Sequence, residues 1–179
     1  EAIFGLIPKL VRAAHSTLQF PKKLKMKQLI RLRKVQQTDN KILAKIIRDC
    51  FEEFNAPKEG TVYSDSDTDS LYKYYQTKGA FGLTAELNGE IVGTCGIYPT
   101  KGLPEGTAEL VKFYLKSSAR GLGIGKDLME KCISEAVKIN YKYLYIESLP
   151  LFTSALKLYE KMGFKPIKKR LGNSCHSSC

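Results

Sequence analysis

Residues 109–126 read ELVKFYLKSSARGLGIGK. The apolar run Leu110 to Leu115 has the composition of a buried strand. It breaks at Lys116-Ser117-Ser118, and Arg120-Gly121-Leu122-Gly123-Ile124-Gly125 follows before helical periodicity sets in. Strand, glycine-rich turn and helix N-terminus in that order make an anion site. Glycines bring the backbone close to a ligand, while successive N–H groups and the helix dipole point at its phosphates. A plain turn needs one such glycine, and glycines that fall within a helix cost roughly 1 kcal/mol each against alanine. The stretch predicts a phosphorylated ligand.

Three phosphate-binding patterns compete for it. A Walker loop needs Gly, four residues, then Gly-Lys-Ser/Thr. Here Gly125-Lys126 is followed by Asp127, and Arg120 stands where the first glycine belongs. A dinucleotide fingerprint needs G-x-G-x-x-G with an acid about twenty residues on. Gly121, Gly123 and Glu147 fit it, but Lys126 replaces the third glycine, and the 53 residues after it are too few for the rest of a doubly wound sheet. The third pattern is Gln/Arg-x-x-Gly-x-Gly/Ala, which Arg120, Gly123 and Gly125 satisfy. A second block, Ala155-Leu156-Lys157-Leu158-Tyr159-Glu160-Lys161-Met162-Gly163-Phe164, reads A-x-x-L-Y-x-K-x-G-F. The two blocks, in this order and one short strand apart, resemble the GNAT superfamily of N-acetyltransferases over about residues 29–172.

Outward from the turn, the remaining pattern is mixed α/β. Strands are expected at Leu29–Val35, Phe81–Leu87, Ile91–Tyr98, Ala108–Leu115, Tyr143–Ser148 and Phe164–Lys168. Helices are expected from Thr38, as N-cap, to about Phe54, over Ser70–Lys78, over Gly123–Ile139, and from Pro150 to about Met162. Ile42, Ile46, Ile47, Cys50 and Phe54 would share the buried face of the first helix. Asn88-Gly89 is a two-residue hairpin signal. The resulting order, β-α-α-β-β-β-α-β-α-β, matches the GNAT-like acyl-CoA N-acyltransferase fold except at its end. That fold normally adds one more strand, which is short or missing after Leu171, leaving an edge.

The 179 residues suffice for one domain, with 43% hydrophobic and 26% charged content. No apolar run reaches the ~20 residues that span a bilayer. The five cysteines form no CxxC pair and three lie in apolar patterns, which suits a reduced, cytoplasmic protein. Cys175-His176-x-x-Cys179 lacks a second ligand pair, so no metal is expected. The net charge is +11, of which residues 1–27 contribute +5. No RNA- or DNA-binding signature accompanies the charge, and no nucleic-acid partner is expected. Residues 1–25 are poorly patterned and end just before Met26. They are read as an extension or tag-like segment outside the core, with residues 26–172 as the single domain and 173–179 as a tail.

The resemblance implies an acetyl-CoA-dependent transfer of an acetyl group to a primary amine, by direct attack in a ternary complex. The acceptor would be a small-molecule or peptide amine, and a homodimer is compatible with the family. A catalytically silent acyl-CoA sensor is the alternative. The resemblance places the pantetheine arm along the strand backbone at Phe113 and Leu115. It places the pyrophosphate on Arg120, Gly121, Leu122, Gly123, Ile124, Gly125 and Lys126. Tyr159 matches the tyrosine that protonates the departing thiolate, and a neutral phenol is a competent donor. Both histidines lie in the tails, so a carboxylate is the candidate base. Strand alternation sets Glu109 on one apolar face with Val111, Phe113 and Leu115, which would raise its pKa toward 7. Glu147 competes for that role. Phe152 stands where the family often has an asparagine. The acidic loop with Glu59, Tyr63, Asp65, Asp67 and Asp69 is the expected acceptor mouth, together with Glu147, and would favour a cationic amine.

Overall fold

The computed structural model describes residues 2–5 and 29–173. Seven strands make one sheet, β1 Ala2–Gly5, β2 Ile30–Lys34, β3 Phe81–Leu87, β4 Glu90–Tyr98, β5 Thr107–Leu115, β6 Tyr143–Ser148 and β7 Lys165–Pro166. The helices are α1 Asn40–Glu53, α2 Leu71–Tyr74, α3 Ile124–Lys138 and α4 Thr153–Lys161. The spatial order is β2-β3-β4-β5-β6-β1-β7. All neighbours are antiparallel except β5 and β6, which run parallel. A parallel neighbour requires a crossover, and α3 supplies it.

Apolar cores lie on both faces of this sheet. One joins Leu83, Cys95 and Leu110 to Leu128 and Met129 of α3 and to Tyr159 of α4. The other joins Val35 and Leu149 to Leu43, Ile47 and Phe51 of α1 and to Leu71 and Tyr75. The buried stripe of α1 runs through Leu43, Ala44, Ile46, Ile47, Cys50 and Phe51, so Ile42 faces solvent at 45% exposure instead of joining it. The helix start also differs. A 3-10 turn, Gln37–Asp39, precedes α1, and Asp39 rather than Thr38 closes it by accepting from the Gln36 N–H and from Arg33.

The second helix is a single turn, because the chain before it, Ser66–Ser70, coils as a 3-10 segment. Its place is fixed from below. Gly82 and Gly96 pair across β3 and β4, and a Cβ at either would meet the Tyr75 ring at 2.1 to 2.4 Å. Only glycine lets that ring rest on the sheet, and neighbouring Tyr74 then stacks on Tyr98 with centroids 4.1 Å apart.

Residues 2–5 correct the expected boundary at Met26. They form β1, antiparallel to β6 from Ala2↔Ser148 to Gly5↔Tyr145 and to β7 at Phe4↔Pro166 and Gly5↔Lys165. The physical reason is the edge itself: β6 and β7 do not pair with each other, and a strand between them satisfies backbone groups of both. Deleting residues 1–5 is expected to lower Tm by about 5–10 °C, since a few lost net hydrogen bonds of about 1 kcal/mol each shift a domain of this size by 2–4 °C per kcal/mol. Calorimetric melting of full-length and shortened protein checks it, and equal Tm values would make β1 dispensable.

Candidate active site

A cleft of about 720 Å³ runs along β5, from the glycine turn at one end to Asp65, Tyr74, Tyr98 and Thr100 at the other. Its opening follows from the sheet. β5 and β6 pair only at Thr107↔Tyr143, Ala108↔Leu144 and Glu109↔Tyr145, and beyond that point they part. The backbone of β5 from Leu110 onward therefore borders the cleft.

At the turn, Gly121 and Gly123 hold φ of +77° and +88°, and a Cβ at either would meet nothing within 4 Å. Arg120 N–H donates to the Ser117 carbonyl and Asp127 N–H to that of Gly123. Between them, no backbone N–H from Gly121 to Lys126 donates to a backbone carbonyl among the described residues. These donors, at the start of the 15-residue α3, fit a pyrophosphate. Gly125 has a different task. Its Cβ would come within 3.2 Å of Leu115 and Phe113, so it sets how closely α3 approaches β5.

Two side chains expected at the phosphates are engaged differently. The Arg120 guanidinium forms a bidentate pair with Glu53 at 2.6 and 2.9 Å, and its Nε donates to the Leu115 carbonyl. It ties the turn to the end of α1. Cys50 Sγ also donates to that carbonyl, so one of the two backbone positions expected to meet pantetheine already has protein partners. Lys126 bridges to Glu130 at 3.2 Å and is 60% exposed. Leu122 lies exposed on the turn, and Ile124 is fully buried beneath it.

The alternation assumed for β5 fails at a bulge. Val111 pairs with Gly96 and Tyr114 with Thr94, so Lys112 and Phe113 together oppose Cys95. Lys112 takes φ of +52°. Val111 and Tyr114 consequently pack with the α1 core, whereas Phe113 and Leu115 pack with the α3 core. Glu109 does not share a face with Phe113 and Leu115. Its apolar burial comes from the sheet and α2 instead, and the pKa is pushed up to about 7 by that burial, against the pull of a Thr100 hydroxyl that donates to Oε2. Glu147 adds to the rise, while Lys112 and Arg170 oppose it.

Glu147 lines the same cleft but is held by Arg170 through Nε and Nη2, both at 2.9 Å, and accepts from the Tyr145 phenol at 2.8 Å. Tyr159 also lines the cleft, packed on Phe113 and Phe164 at 4% exposure. Burial raises its pKa, with a hydrogen bond to Ser148 acting the other way, so the phenol keeps its proton at neutral pH. Phe152 caps α4 and packs edge-on against Phe51, Phe54 and Tyr114, sealing the wall on the α1 side.

Glu59 and Tyr63 are not brought to the cleft. Glu59 is exposed beyond α1. The Tyr63 ring packs on Phe51 beneath the Lys58 ammonium, and its hydroxyl donates to Glu52. The acidic loop is no bare anionic mouth either. Asp69 pairs with Arg48 at 2.7 Å and Asp65 with Lys112 at 2.6 Å. Thr100, Lys112, Tyr74 and Tyr98 line the cleft without having been singled out by pattern, and Arg170 reaches it through Glu147; a lysine inside an apolar strand was the one visible signal. His15, His176 and the Cys175–Cys179 segment lie outside the described residues. Among the described residues no group of three His, Cys, Asp or Glu side chains could hold a metal ion, and no helix is long and apolar enough to cross a membrane.

The sequence profile of the Acetyltransferase (GNAT) family matches residues 42–164. The uncharacterized N-acetyltransferase YjgM of Escherichia coli is 32% identical over 149 residues, covering 83% of this chain and 89% of its own. The crystal structure of a GNAT-family acetyltransferase from Staphylococcus aureus superposes with a TM-score of 0.69 at 26% identity, over 79% of this chain and 86% of that one. A predicted acetyltransferase from Clostridium acetobutylicum, crystallised with acetyl-CoA, superposes at 0.62 with 18% identity, over 82% and 96% of the two chains.

Proposed function

Because the chain belongs to the GNAT family of acetyltransferases, we propose that it moves an acetyl group from acetyl-CoA to a primary amine by direct attack, with Glu109 as base and Tyr159 as acid. One observation carries this: the N–H cradle of Gly121–Lys126, Glu109 and Tyr159 all border one cleft that opens where β5 leaves β6. Acetyl-CoA, when bound, supplies a thioester carbonyl carbon as the electrophile. The pyrophosphate would rest on the Gly121–Lys126 donors, and the pantetheine arm would run beside Phe113 and Leu115. Arg120 holds the turn's shape through Glu53, and Lys126 adds charge at the rim.

The amine must reach the carbonyl unprotonated. Glu109 is suited to take its proton because a carboxylate that titrates near 7 is both substantially ionised and basic at neutral pH. Glu147 is the weaker candidate, with both oxygens already held by Arg170 and Tyr145. As the C–N bond forms and the C–S bond breaks, the Tyr159 phenol gives its proton to the sulfur. The acceptor would enter between Tyr74, Tyr98 and Asp65. At the entrance Asp65 is paired to Lys112, which leaves Asp67 as the aspartate on the lining that favours a cationic amine.

Isothermal titration of acetyl-CoA into the protein tests the cofactor, with NADH and ATP as controls. Selective binding with a micromolar or tighter Kd is expected, about −8 kcal/mol or better. Absence of selective binding would overturn acetyl-CoA as the donor.

A further inference from the structure

We propose that Lys112 is a positioning residue for proton transfer: the β5 bulge turns its ammonium onto the sheet face that carries Glu109, where its charge favours the carboxylate the reaction needs. This role presupposes Glu109 as the base. Glu109 and Lys112 are three residues apart, and on a regular strand they would point to opposite faces. The bulge reverses that parity. Lys112 reaches Asp65, Thr68 and the Tyr74 ring, with Nζ at 2.6, 3.3 and 5.5 Å, all on the α2 side.

On stability alone, Lys112 has only a weak reason to be a lysine, its buried ion pair with Asp65. Its side chain is 2% exposed, and burying an ammonium costs more than burying an unbranched apolar chain of like size. Its φ of +52° is strained for any residue with a Cβ. A methionine would fill the same space and avoid the ammonium's desolvation, at the loss of the bonds to Asp65 and Thr68. What the lysine adds is a positive charge in the wall of the cleft, on Glu109's side. The other groups around Glu109 are accounted for. Thr100 donates to it from the loop after β4, and Tyr74 and Tyr98 flank it from α2 and β4. Glu147 and Tyr145 approach from β6, and Arg170 from the chain after β7. Arg170 is committed to Glu147, whose charge acts on Glu109 in the opposite sense and more strongly. Lys112 is the cation of β5 itself, and Asp65 holds it in place.

The test is carboxyl carbon NMR of the full-length protein, with the Glu109 signal assigned by its loss in Glu109→Gln. In Lys112→Met the Glu109 midpoint is expected to move up by about one pH unit, and in Lys112→Arg to stay near the wild-type value. Asp65→Asn, which keeps the lysine but removes its counter-ion, should move it down and serves if Lys112→Met does not fold. In kinetics, Lys112→Met should lower kcat/KM about tenfold at pH 6 and converge on wild type by pH 9, with acetyl-CoA affinity unchanged. An unmoved or lowered midpoint in Lys112→Met overturns the proposal, as does a rise in Asp65→Asn. If Glu109→Gln keeps the acid limb of the rate profile, the assignment of Glu109 as base fails instead, and the NMR midpoints still decide what Lys112 does to it.

Discussion

Glu109→Gln is expected to lower kcat about a hundredfold or more while leaving the Kd for acetyl-CoA within twofold of wild type. General bases contribute roughly 10²- to 10⁴-fold, and Glu109 lies opposite Tyr98, at the end of the cleft away from the glycine turn. Glutamine keeps the shape and can still accept the Thr100 hydroxyl, so the loss should fall on chemistry rather than packing. The sign of the pH dependence follows from the raised pKa. Burial disfavours the charged form, so the carboxylate is present above about pH 7 and disappears as pH falls through that value. Wild-type kcat/KM should climb with pH up to about 7, and the variant should lack that limb. Stability must run the other way. The folded carboxyl holds its proton more tightly than an unfolded one, so the native state loses stability as pH rises from the ordinary glutamate range to about 7. Glu109→Gln should not show that decline. Unchanged turnover in the variant would remove Glu109 as the base and leave Glu147.

Where a signal is local, the sequence carried it. Asn88-Gly89 sits at φ of +53° and +86°, the left-handed pair that a tight hairpin requires, and β3 and β4 flank it. The glycine turn, α3 and β6 likewise follow from residues within a few positions of one another. Failures came wherever a distant contact decided. Nothing near Ala2–Gly5 says that two strands about 140 residues or more away lack a common neighbour. The buried stripe of α1 shifted because the sheet and the turn at Asp39 set the helix's rotation, which periodicity alone leaves free by a residue. The bulge at Lys112 mattered most for the site. One extra residue exchanged the faces of Phe113 and Leu115 relative to Glu109, and no residue in ELVKFYL announces it, since lysine is a poor left-handed residue. Likewise Arg120 looked like a phosphate ligand until Glu53 came within 2.6 Å of it.

Gly123→Val should abolish measurable acetyl-CoA binding, a loss of a hundredfold or more, while Tm falls by only a few degrees. At φ of +88° a β-branched residue is strained by 1–2 kcal/mol or more. An added Cβ meets nothing within 4 Å, so the first added atom does not crowd the fold. The strain is relieved if the turn swings to negative φ, and that rotation takes the N–H groups of Gly123 and Ile124 off the phosphate position. Two charge-assisted hydrogen bonds at about 1.5–3 kcal/mol each then disappear, which is roughly 10²- to 10⁴-fold in affinity. Gly125→Ala provides the contrast, because its methyl would press on Leu115 and Phe113 at 3.2 Å and should lower Tm more than affinity. Titration calorimetry and thermal melting on the two variants separate the roles. Wild-type affinity in Gly123→Val would mean that the turn's backbone donors do not hold the phosphates, and the charged side chains at the rim, Lys126 first, would have to do so.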